Sequence, residues 1–343
     1  MAEPKPAKQK PGHASGSRRA GRHKLRVLFT CIGRRVSLLN YFRRAARRLR
    51  IDAEFCGTDI TELSAALQLC DRRFIVHPVH HRLYISDLLK IVDSHGIDLV
   101  IPTIDTDLLP LARNKKRFEK LRCRVLVSEP DVIEICQDKT KTYKFLTRHR
   151  FETPWTVGAG AALSGGKLGW PCFVKPRYGS ASKGNAVVRN RKELAFYARK
   201  IPNALCQEFV EGTEYTCDVY VDFKMNVRCV MPRKRIEVRA GEVSKGQVVM
   251  HRDISAEAGR LVEQLGAGPG VVTIQLFLTR HDEVKFIEIN PRFGGGVPLS
   301  IEAGADFPKW ILQETTGRAL RTRRLAYGLT MLRYDAEVWL PNT

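Results

Sequence analysis

The feature of this 343-residue sequence that most narrows its fold is a rapid alternation of apolar runs and amphipathic segments between residues 25 and 128. LRVLFTCIG (25–33) reads as a buried strand. SLLNYFRRAARRL then places Leu38, Leu39, Phe42, Ala45, Ala46 and Leu49 at helical spacing. DAEFCGTD and RFIVHP read as strands, YISDLLKIVDSHG as a helix closed by Gly96, IDLVIPT as a strand, DLLPLARNKKRFEK as a helix and CRVLVS as a strand. Alternation at this pace predicts an α/β domain with a parallel sheet and helices on both faces. The turn after the first strand, CIGRRVS, has one glycine rather than the three that bring a backbone up to a pyrophosphate. The domain is therefore read as a scaffold or a substrate-side wall. Gly33, Asp59 and TIDTD (103–107) stand at strand ends, where a cleft forms.

From residue 130 the pattern changes. DVIEICQDKTKTYKFLTRH is read as helical. PCFVKPRYGSASKGNAVV, LCQEFVEGTEYTCDVYVD, a basic ribbon over 231–247, a helix near 255–266 and strands at 271–279 and 284–290 follow. This predicts an α+β region dominated by antiparallel strands. MLRYDAEVWL reads as a last strand packed on the body.

FIEINPRFGGG (286–296) carries the first chemical signal. Alternate side chains of a strand share a face, which puts Glu288 and Asn290 together and turns Ile287 and Ile289 the other way. A carboxylate beside an amide oxygen suits a magnesium site better than a core. Gln275, in VVTIQLFL, lies on the predicted hairpin partner, and cross-strand neighbours sit about 5 Å apart. Magnesium takes few protein oxygens and completes its shell with water and phosphate. FVKPRYGSASKGNAVV delivers Lys175 on a strand. The small residues Gly179, Ser180, Ser182 and Gly184 follow, a loop whose N–H groups can close over phosphate. It is not a Walker loop. In CQEFVEGTEY, a strand edge offers backbone groups to an adenine, and Glu208 or Glu214 is placed for ribose hydroxyls. Each signal has a plainer reading, respectively a polar sheet face, a flexible hairpin and an exposed strand end.

Composition removes other classes. No apolar run approaches the roughly 18 residues of a membrane span. Nine cysteines are scattered without a Cys-x-x-Cys pair, which fits reduced thiols in a cytoplasm rather than a disulfide framework or zinc site. The net charge is +22. Residues 1–24 carry seven Lys/Arg against one acid, leaving +16 on the body. That tail is rich in Lys, Pro, Gly and Ser and reads as disordered. The body charge fits a solvated surface or an anionic small-molecule site before it fits nucleic acid, for which no aromatic–basic signature is present.

The VKP strand, the Gly/Ser loop, EFVEGTEY, the glutamine strand and EINPR, in this order behind a small α/β domain, resemble the ATP-grasp superfamily. They are most similar to the half-modules of carbamoyl phosphate synthase large chain and related amino-acid ligases. The resemblance covers about residues 25–320. It implies a parallel-sheet pre-ATP-grasp domain (25–128) followed by α+β ATP-grasp domains (129–343), with a lid at about 150–212 and a catalytic part from about 213. It further implies ATP and Mg²⁺, with Mn²⁺ as an alternative ion. Lys139 and Lys175 would hold phosphates beneath the loop 179–184. Glu208, Phe209 and Val210 would read adenine, and Glu214 the ribose. Gln275, Glu288 and Asn290 would bind the metal, and Arg292, with Lys175, would act on the phosphoryl group in flight. Apart from the resemblance, alternation puts Arg233 and Arg235 on one ribbon face, which with Arg292 and Gly295 would hold the acid or acyl phosphate, or else is a solvated basic strand; Lys245-Gly246 is read as part of a closing loop. The implied activity activates a small carboxylic acid as an acyl phosphate and joins it to an amine or ammonia. A non-catalytic ATP-binding regulator and a nucleic-acid binder using the tail are the alternative readings. Dimers are common in such enzymes, so a homodimer is considered; no membrane or nucleic-acid partner is expected.

Overall fold

A computed structural model describes residues 24–165, 169–179, 184–239, 241–322 and 324–340. The tail expected to be disordered therefore lies, apart from Lys24, outside the described residues, as do Ser180 and Ser182.

The first region runs β1 (Leu25–Thr30), α1 (Val36–Leu49), β2 (Ala53–Asp59), α2 (Ala65–Gln68), β3 (Arg72–Ile75), α3 (Tyr84–His95), β4 (Leu99–Pro102), α4 (Leu108–Lys120) and β5 (Arg124–Val125). The strands form one parallel sheet in the order β3-β2-β1-β4-β5, as the alternation requires. Gly96 closes α3 in the left-handed conformation, with φ 58°. α1 buries Leu38, Leu39, Phe42, Ala45 and Ala46. Its exposed face explains part of the basic composition. Arg43 pairs with Asp71, Arg44 with Glu302 and Arg48 with Asp306.

The helical stretch read from 130 onward is two helices, α5 (Pro130–Gln137) and α6 (Lys139–Arg148). Asp138 adopts an extended conformation between them, and its carboxylate accepts from the N–H groups of Thr140 and Lys141. A short acceptor that satisfies the first turn of a new helix competes with continuation of the old one. Arg177 donates two bonds to the same carboxylate.

A four-stranded sheet follows, built from β6 (Thr156–Gly158), β7 (Cys172–Pro176), β8 (Ala186–Val188) and β9 (Ala204–Glu208), in the order β6-β9-β7-β8. α7 (Ala159–Leu163) and α8 (Arg191–Lys200) pack on it. The remaining strands are β10 (Gly212–Val221), β11 (Val227–Arg239), β12 (Glu242–Val248), β13 (Gly270–Thr279), β14 (Val284–Asn290) and β15 (Thr330–Leu332), with α9 (Arg252–Leu265), α10 (Val297–Glu302) and α11 (Phe307–Thr315) between them. They form an antiparallel sheet ordered β14-β13-β10-β11-β12-β15.

Two expectations are corrected here. Lys245 and Gly246 are not on a loop; they lie inside β12, paired on both sides by β11 and β15. The last strand is only the three residues of β15 on the sheet edge. Tyr334 and Trp339 beyond it are 86% and 84% exposed, so the aromatic end does not pack on the body.

The first region and the large sheet share one core. Phe42 of α1 meets Phe293, edge to face, at a centroid distance of 6.1 Å. The same cluster contains Val297, Leu299, Phe307 and Trp310. One face of the large sheet carries a buried polar hub. Asp218 is 0% exposed and accepts from Arg233 Nε at 2.7 Å and Nη2 at 3.0 Å, Ser300 Oγ at 2.6 Å and Thr273 Oγ1 at 3.1 Å. Removing one partner of such a pair leaves the other charge buried and uncompensated. Asp218→Ala is expected to cost about 3–5 kcal/mol of stability, read as a lowered denaturation midpoint; a midpoint equal to that of the parent would dismiss the hub.

Candidate functional site

The face of the large sheet that carries Asp218 also carries the residues singled out in the sequence. Gln275 stands opposite Glu288 and Thr273 opposite Asn290 across the β13–β14 pair. Gln275 lies beside Thr216 on the other side. The three oxygen-bearing side chains therefore meet on one face. The alternation fails at one point. The register slips between Gln275 and Leu276, so that Phe286 pairs with Leu276 and Ile287 has no partner. Ile287 is a bulge residue and turns into the same cavity as Glu288 instead of facing the core.

Two cavities open on this face. The first, of about 580 Å³, lies between the small and large sheets. Phe173, Phe209, Phe277 and Ile287 give it an apolar slot, and Lys139, Lys175, Glu214, Gln275 and Glu288 a charged end. Val210, Gly179 and Glu208 also line it. Lys175 on β7 is 6% exposed, and among the described residues it forms no ion pair. Burial pushes its ammonium down to about 8, Glu288 opposes that shift and Lys139 adds to it. Lys139 begins α6 and donates to the Gly179 carbonyl at 2.8 Å; burial lowers its pKa too, against Glu288 and Asp105. Gly179 and Gly184 bracket the loop with φ of 109° and 78°, values that glycine adopts without strain. Glu208 bonds Lys285 at 2.8 Å and the Trp155 N–H through its carboxylate, and its own N–H reaches the Trp155 carbonyl. Its side chain is thus committed to the strands around the cavity. Gly212 has a steric reason: a Cβ there would lie 2.5 Å from the Leu278 carbonyl oxygen.

The second cavity, of about 390 Å³, shares Glu214, Gln275 and Glu288 with the first. Arg233, Arg235, Asn290, Arg292 and Gly294–Gly296 complete its floor, and Arg35, Asp105 and Glu242 its walls. Arg292 donates to Asp105 at 2.5 Å and to Asn290 Oδ1 at 3.3 Å, while its buried Nε has no partner. Arg235 bonds Glu214 at 2.9 Å and the Gly241 carbonyl at 3.1 Å, again with a buried Nε unpartnered. Burial lowers the pKa of Arg235, offset in part by Glu214. Burial raises that of Glu214, offset in part by Arg235. Arg233 lines the cavity, but two of its nitrogens are spent on Asp218.

The glycines of the turn also have a packing role. None of the three has a positive φ. A Cβ on Gly294 would meet Thr273, one on Gly295 the Glu242 carboxylate at 2.6 Å, and one on Gly296 the Arg233 guanidinium.

Arg35, Glu242, Thr273 and Asp218 escaped the sequence reading. Arg35 follows β1 in the turn of the first domain and meets Glu242 at 3.5 Å. Arg333 and Arg34 also approach that carboxylate. Burial works to raise the Glu242 pKa, but Arg35, Arg333 and Arg34 outweigh it. A lone aspartate inside the apolar YTCDVYVD was a readable signal for Asp218. In the turn after β1 the Gly33 N–H is already satisfied by Asp59 at 3.0 Å. The first domain supplies Arg35 and Asp105 as a wall of the second cavity.

Among the described residues, no cluster of three His, Cys, Asp or Glu side chains could hold a metal. One carboxylate with two amides makes a weak cation site alone and an adequate one for a Mg²⁺ that brings phosphate oxygens with it. The donor set fits that ion, and the buried Lys175 fits a polyanion beside it. A polyphosphate placed there returns the Lys175 pKa toward its ordinary value, so binding takes up a proton between the two values. Calorimetry with tripolyphosphate at pH 8.5, in two buffers of different ionisation enthalpy, is expected to show proton uptake. Affinity should fall by up to about tenfold per pH unit above pH ~8. Uptake unchanged in Lys175→Met would assign it elsewhere.

Comparison with known proteins agrees with this architecture. Residues 27–126 match the PylC-like N-terminal domain and residues 136–296 the ATP-grasp domain. The carbamoyl phosphate synthase large chain of Clostridium botulinum (strain Kyoto / Type A2) is 24% identical over 276 residues, 74% of this chain and 25% of that one. Carbamoyl-phosphate synthase of Methanobrevibacter smithii is 26% identical over 135 residues, 38% of this chain and 37% of that one. The chain thus spans about a quarter to a third of the length of these relatives. Among solved structures, the biotin carboxylase domain of Hydrogenobacter thermophilus 2-oxoglutarate carboxylase, in complex with MgADP, ADP and bicarbonate, superposes with a TM-score of 0.70 at 16% identity, covering 90% of this chain and 74% of that one. The L-amino acid ligase of Bacillus licheniformis superposes with a TM-score of 0.67 at 21% identity, covering 86% and 74%. No helix among the described residues is long and apolar enough to cross a membrane. The chain thus joins a region that matches the PylC-like N-terminal domain to one that matches the ATP-grasp domain.

Proposed function

We propose that the chain is an ATP-dependent ligase that activates a small-molecule carboxylate as an acyl phosphate and joins it to an amine or ammonia. The observation that carries this reading is the sharing of Glu214, Gln275 and Glu288 by two cavities of different character. One has an apolar slot ending in the buried Lys175 and the half-buried Lys139, as a nucleotide with its phosphates needs. The other has guanidinium groups with unpartnered Nε donors, as a carboxylate needs. Transfer of a phosphoryl group takes place where the two meet.

In this reading the backbone along Glu208–Val210 reads the adenine, Glu214 takes ribose hydroxyls, and Lys139 and Lys175 hold the phosphates. Gln275, Glu288 and Asn290 hold Mg²⁺, which when bound offsets charge on the phosphate oxygens. The acid is oriented in the second cavity by Arg292 and Arg235, with Gly295 keeping the turn close to Glu242. Its carboxylate oxygen forms a bond to the γ-phosphorus as the bond from that phosphorus to ADP breaks. The nitrogen of the amine then bonds the acyl carbon, phosphate leaves with the C–O bond pair, and the amine gives up a proton. Both steps crowd anions together, so positioning and charge compensation are the protein's main contribution. Arg292 stands directly behind the metal set to supply it.

A phosphate-release assay with pooled amino and hydroxy acids, each with and without ammonium, tests the reading. Glu288→Ala is expected to lose about 100-fold or more of the signal. Equal release from the parent and from Glu288→Ala would remove the ligase assignment.

A further inference from the structure

Two arginines of β11 face the second cavity, and their bonding differs. Arg233 is fixed to Asp218 by two bonds, and that carboxylate is fixed in turn by Ser300 and Thr273. Arg235 has one ion pair, to Glu214, one bond to a carbonyl, and a buried Nε with no partner. Its side chain is 6% exposed, so water does not supply the missing acceptor cheaply. Glu214 lines both cavities; Arg235 lines only the second. The pair therefore spans the seam between the nucleotide side and the acid side. Arg292, across the cavity, also turns an unpartnered Nε inward. Two buried guanidinium donors of this kind bracket a space for one anion.

We propose that Arg235 couples the two cavities: ribose hydroxyls that engage Glu214 loosen its hold on Arg235, and Arg235 then turns to the anionic acid or its acyl phosphate. This rests on the ligase reading above. In this scheme Arg235 is held by Glu214 while the nucleotide is absent and becomes a ligand for the anion once the nucleotide is bound. The coupling is reciprocal, so an anion drawn to Arg235 frees Glu214 for the ribose and tightens nucleotide binding. Burial supports the exchange, because it disfavours the charged form of each member and the Arg235 Nε is left without a partner.

The test uses inorganic phosphate as the anion and titrates MgADP calorimetrically with and without it. In the parent protein, phosphate is expected to tighten MgADP binding by about tenfold. With 2′,3′-dideoxy-ADP, which lacks the hydroxyls, the ratio is expected to fall to about one, and Arg235→Gln is expected to give the same loss with ADP. The dideoxy arm uses the unaltered chain and stands even if the variant fails to fold. Full coupling with the dideoxy nucleotide, or MgADP binding with no phosphate effect, would overturn the proposal while leaving nucleotide binding intact. No MgADP binding at all would remove the ligase reading and this proposal with it.

Discussion

The buried pair between Asp218 and Arg233 is the contact on which the site depends. Taking both charges out of water is costly, and the cost is met only because every lone pair of the carboxylate finds a donor. Those donors come from different parts of the chain: Arg233 from β11, Thr273 from β13 and Ser300 from α10. Thr273 Oγ1 also receives the Gly294 N–H at 3.0 Å. One carboxylate thus sets the height of the FGGG turn above the sheet. The glycines follow from this. With a side chain on 294, 295 or 296, Thr273, Glu242 or Arg233 would have to withdraw, and the hub would open.

The same turn anchors the first domain. Phe293, between Arg292 and the glycines, inserts against Phe42 of α1, while Arg292 itself reaches Asp105 after β4. Apolar contact and ion pair act on opposite sides of one short segment. The α/β domain is therefore joined to the sheet face by both contacts, and its residues Arg35 and Asp105 wall the second cavity. In its first turn the single glycine has its N–H satisfied by Asp59.

The fold was readable because its two halves have different periodicities. Alternating strands and helices up to residue 128 leave few topologies, and the parallel sheet has the order such units produce. The residues of the charged face were readable for the same reason, since Gln275, Glu288 and Asn290 interrupt apolar strands at a spacing of two. What escaped was set by contacts distant in sequence. Asp138 splits a continuous helical pattern because a side chain 39 residues away, Arg177, holds it in place. Ile287 leaves the alternation because β14 gains a residue against β13. Lys245 and Gly246 look like loop residues, yet β15, more than 80 residues later, pairs with them. Arg233 looks like a free cation in a basic ribbon, and nothing near it in sequence announces its partner on β10.

The basic composition takes on a more specific meaning in this light. Arginines on α1 are neutralised by Asp71, Glu302 and Asp306 and serve the packing of α1. Those around the second cavity are paired as well, but with less complete geometry: Arg35 meets Glu242 only at 3.5 Å, and the Nε atoms of Arg235 and Arg292 are left over. Surface pairs contribute little to stability, and incomplete buried pairs contribute less than their burial costs. A chain that keeps such pairs together in one concave space holds polar capacity that folding does not use. The Nε donors of Arg235 and Arg292 are the clearest instance, since they are buried, charged and left for an acceptor that the described residues do not supply.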